Sequence, residues 1–312
     1  MIEKTIQRGM VIQSTGSHCK VKTTDNKVVT CTIRGKFRIN EKVRSTNPVA
    51  VGDEVEFTLS ENSENGSVQK IIDRKNYILR KAILHNHKVH ILCANIDQAV
   101  VIFTLRFPKT STGFINRFLI TAEAYHIPVV ILFNKIDLLD SPELQAELKE
   151  MQDCYEKIGY KTLTMSALDL ESREIVQEVF AEKISFISGH SGAGKSTILN
   201  LLQPNLHLKT HEISDYNDKG MHTTTFSEMY EVGDARIIDS PGIKEMGIAD
   251  FDKQELSHYF PEMISRLEHC RFNNCLHHNE PNCAIKAAVE SGEIHPSRYK
   301  SYLKILLDDL EE

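Results

Sequence analysis

The stretch "ISFISGHSGAGKSTILNLL", residues 184–202, decides the fold. A strand-length apolar run, "ISFIS", enters a glycine-rich turn, and an apolar helical run, "STILNLL", leaves it. The turn fits G-x-x-x-x-G-K-[ST] at Gly189, Gly194, Lys195 and Ser196. Gly192 and Gly194 let the backbone fold so that consecutive N–H groups point inward. The helix that follows adds the positive end of its dipole. Such a concavity holds phosphate. Gly189, His190, Ser191, Gly192, Ala193, Gly194, Lys195, Ser196 and Thr197 form its wall. Lys195 is placed to reach the β- and γ-phosphates, and the Ser196 hydroxyl to meet Mg²⁺.

Upstream, "VVILFNKIDLL" (129–139) is a buried-strand run ending in a polar loop, Asn134, Lys135, Ile136 and Asp137. Guanine offers two donors on one edge, and a single carboxylate accepts both. Adenine would leave that carboxylate buried and unpaired. Asp137 is therefore the expected base selector, Asn134 ties loops together, and the stem of Lys135 lies along the base. "MSAL" (165–168) adds Ser166 and Ala167, the Ala167 N–H facing the guanine carbonyl. The rival reading, an ATPase, predicts that ATP use survives Asp137→Asn.

Downstream, "IIDSPG" (237–242) offers Asp239 toward Mg²⁺ and the Gly242 N–H toward the γ-phosphate. "KGMHTTT" (219–225) supplies a threonine for the metal, Thr224 before Thr225. Many GTPases carry Gln directly after the glycine to orient the attacking water; here the residue is Ile243. His222 is the candidate replacement, with contact to a partner as its equal alternative, and His190 is a weaker one.

Strand and helix patterns alternate from about residue 98 to 240, which means a parallel sheet with helices on both faces. Before it, "MVIQST", "CKVKTT", "VVTCTI", "EVEFTL" and "SVQKII" read as five short strands of a barrel of the oligonucleotide-binding (OB) type. Residues 74–90 read as a connection. The expected division is 1–73 barrel, 74–248 nucleotide domain and 249–312 helical zinc module.

The chain carries a net charge of −6 over 312 residues. Residues 1–45 nevertheless hold ten Lys/Arg against three acids, 10 − 3 = +7. That asymmetry favours a polyanion on the barrel. "IRGKFRINEKVRS" (33–45) surrounds Phe37 with cations, an RNA surface or a solvated face over a core phenylalanine. No apolar run approaches the roughly 18 residues of a membrane helix. The N-terminus has no apolar signal core, so a cytoplasmic location is expected.

Seven cysteines, an odd number, argue against a disulfide framework. Cys270, Cys275, His277 and Cys283 follow the spacing C-x₄-C-x-H-x₅-C, with His278 the alternative nitrogen. Three thiolates and an imidazole suit one tetrahedral structural Zn²⁺.

Read together, these motifs resemble the ribosome small-subunit-dependent GTPase family RsgA, also called YjeQ. The order "NKID", "SAL", phosphate loop, "GMHTTT", "DSPG" is that family's circularly permuted order, and Ile243 fits its hydrophobic residue in place of Gln. The resemblance spans the chain, from barrel to "CRFNNCLHHNEPNCAI" and the helix "RYKSYLKILLDDL". It implies binding to the small ribosomal subunit and its ribosomal RNA late in assembly, and GTP hydrolysis stimulated by that subunit. It also implies an RNA-binding barrel and a zinc module docked on the particle. A monomer without membrane attachment is expected. The alternative is a GTP-gated RNA-binding factor in which hydrolysis is incidental.

Overall fold

A computed structural model describes residues 5–33, 47–60, 65–81, 89–203, 227–239 and 252–307. Its first five strands are β1 (Ile6–Ser14), β2 (His18–Thr23), β3 (Val28–Thr32), β4 (Glu54–Leu59) and β5 (Gly66–Ile71). Their order β1-β2-β3-β5-β4, with β4 returning to β1, closes a barrel. Only the β3–β5 pairing within it is parallel. Side chains alternate inward along β2 and β3, and Val11, Val21, Val29, Val55, Phe57 and Val68 fill the interior. The five strands expected from the sequence are all present. Phe37 and most of its basic segment lie outside the described residues.

The expected connection at 74–90 is instead partly structured. A hairpin, β6 (Tyr77–Lys81) and β7 (Val89–Ala94), pairs antiparallel there. Its run "YILRK" carries charge at its end, which hid the alternation. Two features fasten the barrel to the hairpin and to the segment that leads into it. Arg74 grips buried Asp53 with both nitrogens at 2.6 Å. Gly52, at φ +92°, brings the barrel so close that an added Cβ would lie 2.0 Å from the Ala94 carbonyl oxygen.

The central domain runs β8 (Gln98–Phe103), α1 (Thr112–Ala124), β9 (Val129–Phe133), α2 (Pro142–Ile158), β10 (Lys161–Thr164), α3 (Ser172–Phe180), β11 (Ile184–Ser188), α4 (Lys195–Leu202), β12 (Glu228–Val232) and β13 (Ala235–Asp239). The strand order is β10-β9-β8-β11-β13-β12. The first five run parallel and β12 antiparallel at the end. β12, "EMYEV", carries no strand signature in the sequence, because two acids in five residues mask it.

Both sheet faces are covered, as the continuous apolar strands predict. Val101, Phe103, Ile131 and Phe133 pack under α1 and α2, while Val100, Ile102, Val130 and Leu132 pack under α3 and α4. Ser141 caps α2 by accepting from the Leu144 N–H, with Pro142 in its first turn. One ladder pair, Gln13 with Glu228, joins β1 of the barrel to β12.

The C-terminal part holds α5 (Pro261–Ile264), α6 (Ala284–Glu290) and α7 (Pro296–Leu306) around a core of Phe260, Met263, Ile285, Ile294 and Tyr302. Ile120 of α1 is part of the same core. Among the described residues, no helix is long and apolar enough to cross a membrane.

Candidate nucleotide site and metal centre

Because β8, β9, β10, β11 and β13 run parallel, the loops after them emerge at one edge of the sheet. The base-reading loop, the "SAL" loop, the phosphate loop and Asp239 therefore meet although the chain visits them out of the usual order.

Asn134 is the joint between them. It is 3% exposed. Its Nδ2 donates to the Ala193 carbonyl at 2.8 Å, and its Oδ1 accepts from the Ala167 N–H at 3.0 Å. The Ile136 N–H donates to the Met165 carbonyl, a second tie between the two base-side loops. Lys135 takes a left-handed backbone at φ 65° and opens the 3₁₀ turn Ile136–Leu138, where Asp137 is exposed. The Lys135 ammonium donates to the Phe107 carbonyl, a partner the sequence does not signal. Burial lowers its pKa.

In the phosphate loop Gly192 and Gly194 have φ of 79° and 102°. A Cβ on Gly194 would lie 2.3 Å from Asn134 Nδ2, so glycine is needed both for the backbone and for space. Lys195 Nζ donates to the carbonyls of Gly189 at 2.7 Å and His190 at 3.1 Å. Burial lowers the pKa of Lys195, and the Asp239 carboxylate partly restores it. The cation is thus poorly solvated and ready for an anion. Ser196 and Thr197 occupy the first turn of α4, whose N-terminus opens at Gly194. Ser191 is exposed, Ala193 and Ser166 are buried. The His190 ring packs on Phe114 of α1 at 4.3 Å between centroids, so its carbonyl, rather than its imidazole, meets Lys195. His222, Thr224, Thr225, Gly242 and Ile243 lie outside the described residues.

In the C-terminal part Cys270, Cys275, His277 and Cys283 converge, their ligating atoms all within 4.8 Å of one another. His277 Nδ1 is 3.5 Å from Cys270 Sγ and 3.4 Å from Cys283 Sγ. A tetrahedral ion with bonds of about 2.0–2.3 Å needs separations of that size. His277 is buried and His278 is not; the His278 N–H bonds Glu280. Burial also lowers the His277 pKa, which favours the neutral imidazole a metal requires. Tyr299 and Tyr302 hold the loop through the carbonyls of His277 and Leu276, at 2.6 and 2.9 Å.

Comparison with known proteins agrees with this architecture. Residues 71–249 match the family description "RsgA GTPase", and residues 8–68 match "RsgA N-terminal domain". A relative from Flavobacterium johnsoniae, a small ribosomal subunit biogenesis GTPase RsgA, is 49% identical over 306 residues, covering 97% of this chain and 94% of that one. One from Christiangramia forsetii with the same name is 50% identical over 302 residues, covering 96% and 95%. The crystal structure of YjeQ from Thermotoga maritima superimposes with a TM-score of 0.76 at 31% identity, covering 99% of this chain and all of that one. YloQ, described as a circularly permuted GTPase, gives 0.72 at 28% identity, covering 99% and 97%. With a permuted α/β domain, a closed five-stranded barrel and a Cys₃His cluster in one chain, this protein belongs to the RsgA family of GTPases.

Proposed function

We propose that this GTPase binds GTP across the loops joined by Asn134 and hydrolyses it during maturation of the small ribosomal subunit, which stimulates it. The bridge from Ala193 through Asn134 to Ala167 carries the reading, because it makes base reader and phosphate cradle one site. The names of the relatives support the ribosomal setting.

In this reading Asp137 selects guanine and Ala167 N–H meets its carbonyl. The amides of 189–197 and the Lys195 ammonium neutralise charge on the transferring phosphoryl group. Water attacks the γ-phosphorus and the bond to the β-phosphate oxygen breaks. Ser196, Asp239 and Thr224 would hold Mg²⁺, which supplies further charge neutralisation when bound. Gly242 would face the γ-phosphate, and His222 is the candidate to orient the water.

Cys270, Cys275, His277 and Cys283 fit Zn²⁺, with four protein ligands and hence a structural role. Ribosomal RNA would be met by the basic barrel. The division at 73/74 and 248/249 belongs to the same proposal.

Ile243 favours a second reading, a GTP-gated RNA-binding factor with incidental turnover. Hydrolysis with and without purified small subunits separates them. Strong stimulation is expected; equal rates would sink the first reading. Asp137→Asn should abolish guanine preference.

A further inference from the structure

Helix α1 is gripped from both sides within one turn. Phe114 and Asn116 lie about 200° apart around the helix, so they face opposite ways. On one side the Phe114 ring supports His190, whose carbonyl accepts from Lys195. On the other side the fully buried Asn116 enters the C-terminal module. Arg298 of α7 donates to Asn116 Oδ1 at 2.8 Å, and Asn116 Nδ2 donates to Ser301 Oγ at 2.8 Å. Tyr155 of α2 shares the Oδ1 at 3.2 Å. Arg298 is itself fixed by Glu262 of α5 at 2.6 Å and lies 4.8 Å over the Phe260 ring.

We infer that Phe114 and Asn116 are positioning residues for the phosphate loop, through which the seating of the C-terminal module on α1 sets how tightly nucleotide is held. This rests on reading 189–197 as the phosphate site. The physical ground is that α1 is one rigid piece between two packed contacts. Buried polar groups at Asn116 fix its depth and rotation, because each has a single good arrangement. If the module lifts, Asn116 loses Arg298 and Ser301, keeping only Tyr155, and α1 re-seats. The ring under His190 then moves, and with it the carbonyl that orients Lys195. Linkage makes the effect mutual: whatever pulls the module off α1 loosens nucleotide, and nucleotide loss loosens the module.

The test is the dissociation rate of fluorescent GDP from the full chain, measured for Phe114→Leu, Asn116→Ala and the double variant. Each single change should speed release about fivefold or more. The double should fall short of the product, since both act through one helix. Ile294→Val, a core change elsewhere in the module, should lower the melting temperature without speeding release. If Asn116→Ala does not fold, Ser301→Ala removes only the Nδ2 acceptor and is measured in its place. Rates within about two-fold of wild type, or effects that multiply, overturn the inference. So does equal acceleration by Ile294→Val. Wild-type protein that binds no GDP at all overturns the reading of the loop itself.

Discussion

The side-chain amide of Asn134 donates to the Ala193 carbonyl at 2.8 Å, 59 positions further along the chain. This contact closes the gap that circular permutation opens in the motif order. Asn134→Ala removes it and leaves the Ala167 N–H buried without its acceptor. Such a loss costs about 1–3 kcal/mol. Guanine-nucleotide affinity should fall roughly ten-fold or more, read by titration of a fluorescent nucleotide. Unchanged affinity would remove Asn134 from the site.

Gly194→Ala attacks the same contact from the other side. The new Cβ would sit 2.3 Å from Asn134 Nδ2 on a backbone at φ 102°. The loop must distort, so nucleotide binding should be lost while the melting temperature of the free protein falls by only a few degrees, the scale of a change near 1 kcal/mol. Calorimetric titration beside a melting curve separates these outcomes.

Arg298 and Glu262 form a buried pair. Arg298→Met alone strands the carboxylate and should cost about 3–5 kcal/mol in urea unfolding. Adding Glu262→Met should recover most of that loss. A double variant as unstable as the single would mean the cost lies in the packing on Phe260 and the lost bond to Asn116, and not in charge.

Zinc is tested by its removal. Protein as purified should contain about one Zn²⁺ per chain, and chelation should melt the C-terminal module first. Cys283→Ser should lower both zinc content and melting temperature. Full folding without metal would refute the assignment.

Burial lowers the Lys195 pKa below its usual 10.5, and a phosphate favours the charged form. The free protein therefore loses this proton at lower pH than the nucleotide complex does. Between the two values binding takes up a proton, and affinity falls as pH rises. Calorimetry in buffers of different ionisation enthalpy should show that uptake for wild type and not for Lys195→Arg.

The phosphate loop, the base loop and the Cys/His spacing were legible because each is local, with the chemistry packed into a few neighbouring residues. The barrel strands were legible through alternation, as along β2 and β3. Strands β6 and β12 were not, since charges within short runs erase the period, and β7, "VHILCA", is a short apolar run without alternation. Nor could Asn116 have been read: in sequence it is one of several polar residues of α1, beside Arg117, Thr121 and Glu123, with nothing to mark it as buried. Its partner Arg298 stands 182 positions away. Burying them together is a property of the fold.

The pairing of Gln13 with Glu228 has a consequence for any shortened form of the chain. β12 ends the nucleotide-domain sheet, and strand β1 of the barrel meets its first residue there. With the barrel in place, that end of β12 is covered. Cut away, the barrel would leave that first position of β12 unpaired too, lengthening the edge open to strand addition by other copies. In the full chain the barrel thus shields that end of β12 from strand addition by other copies.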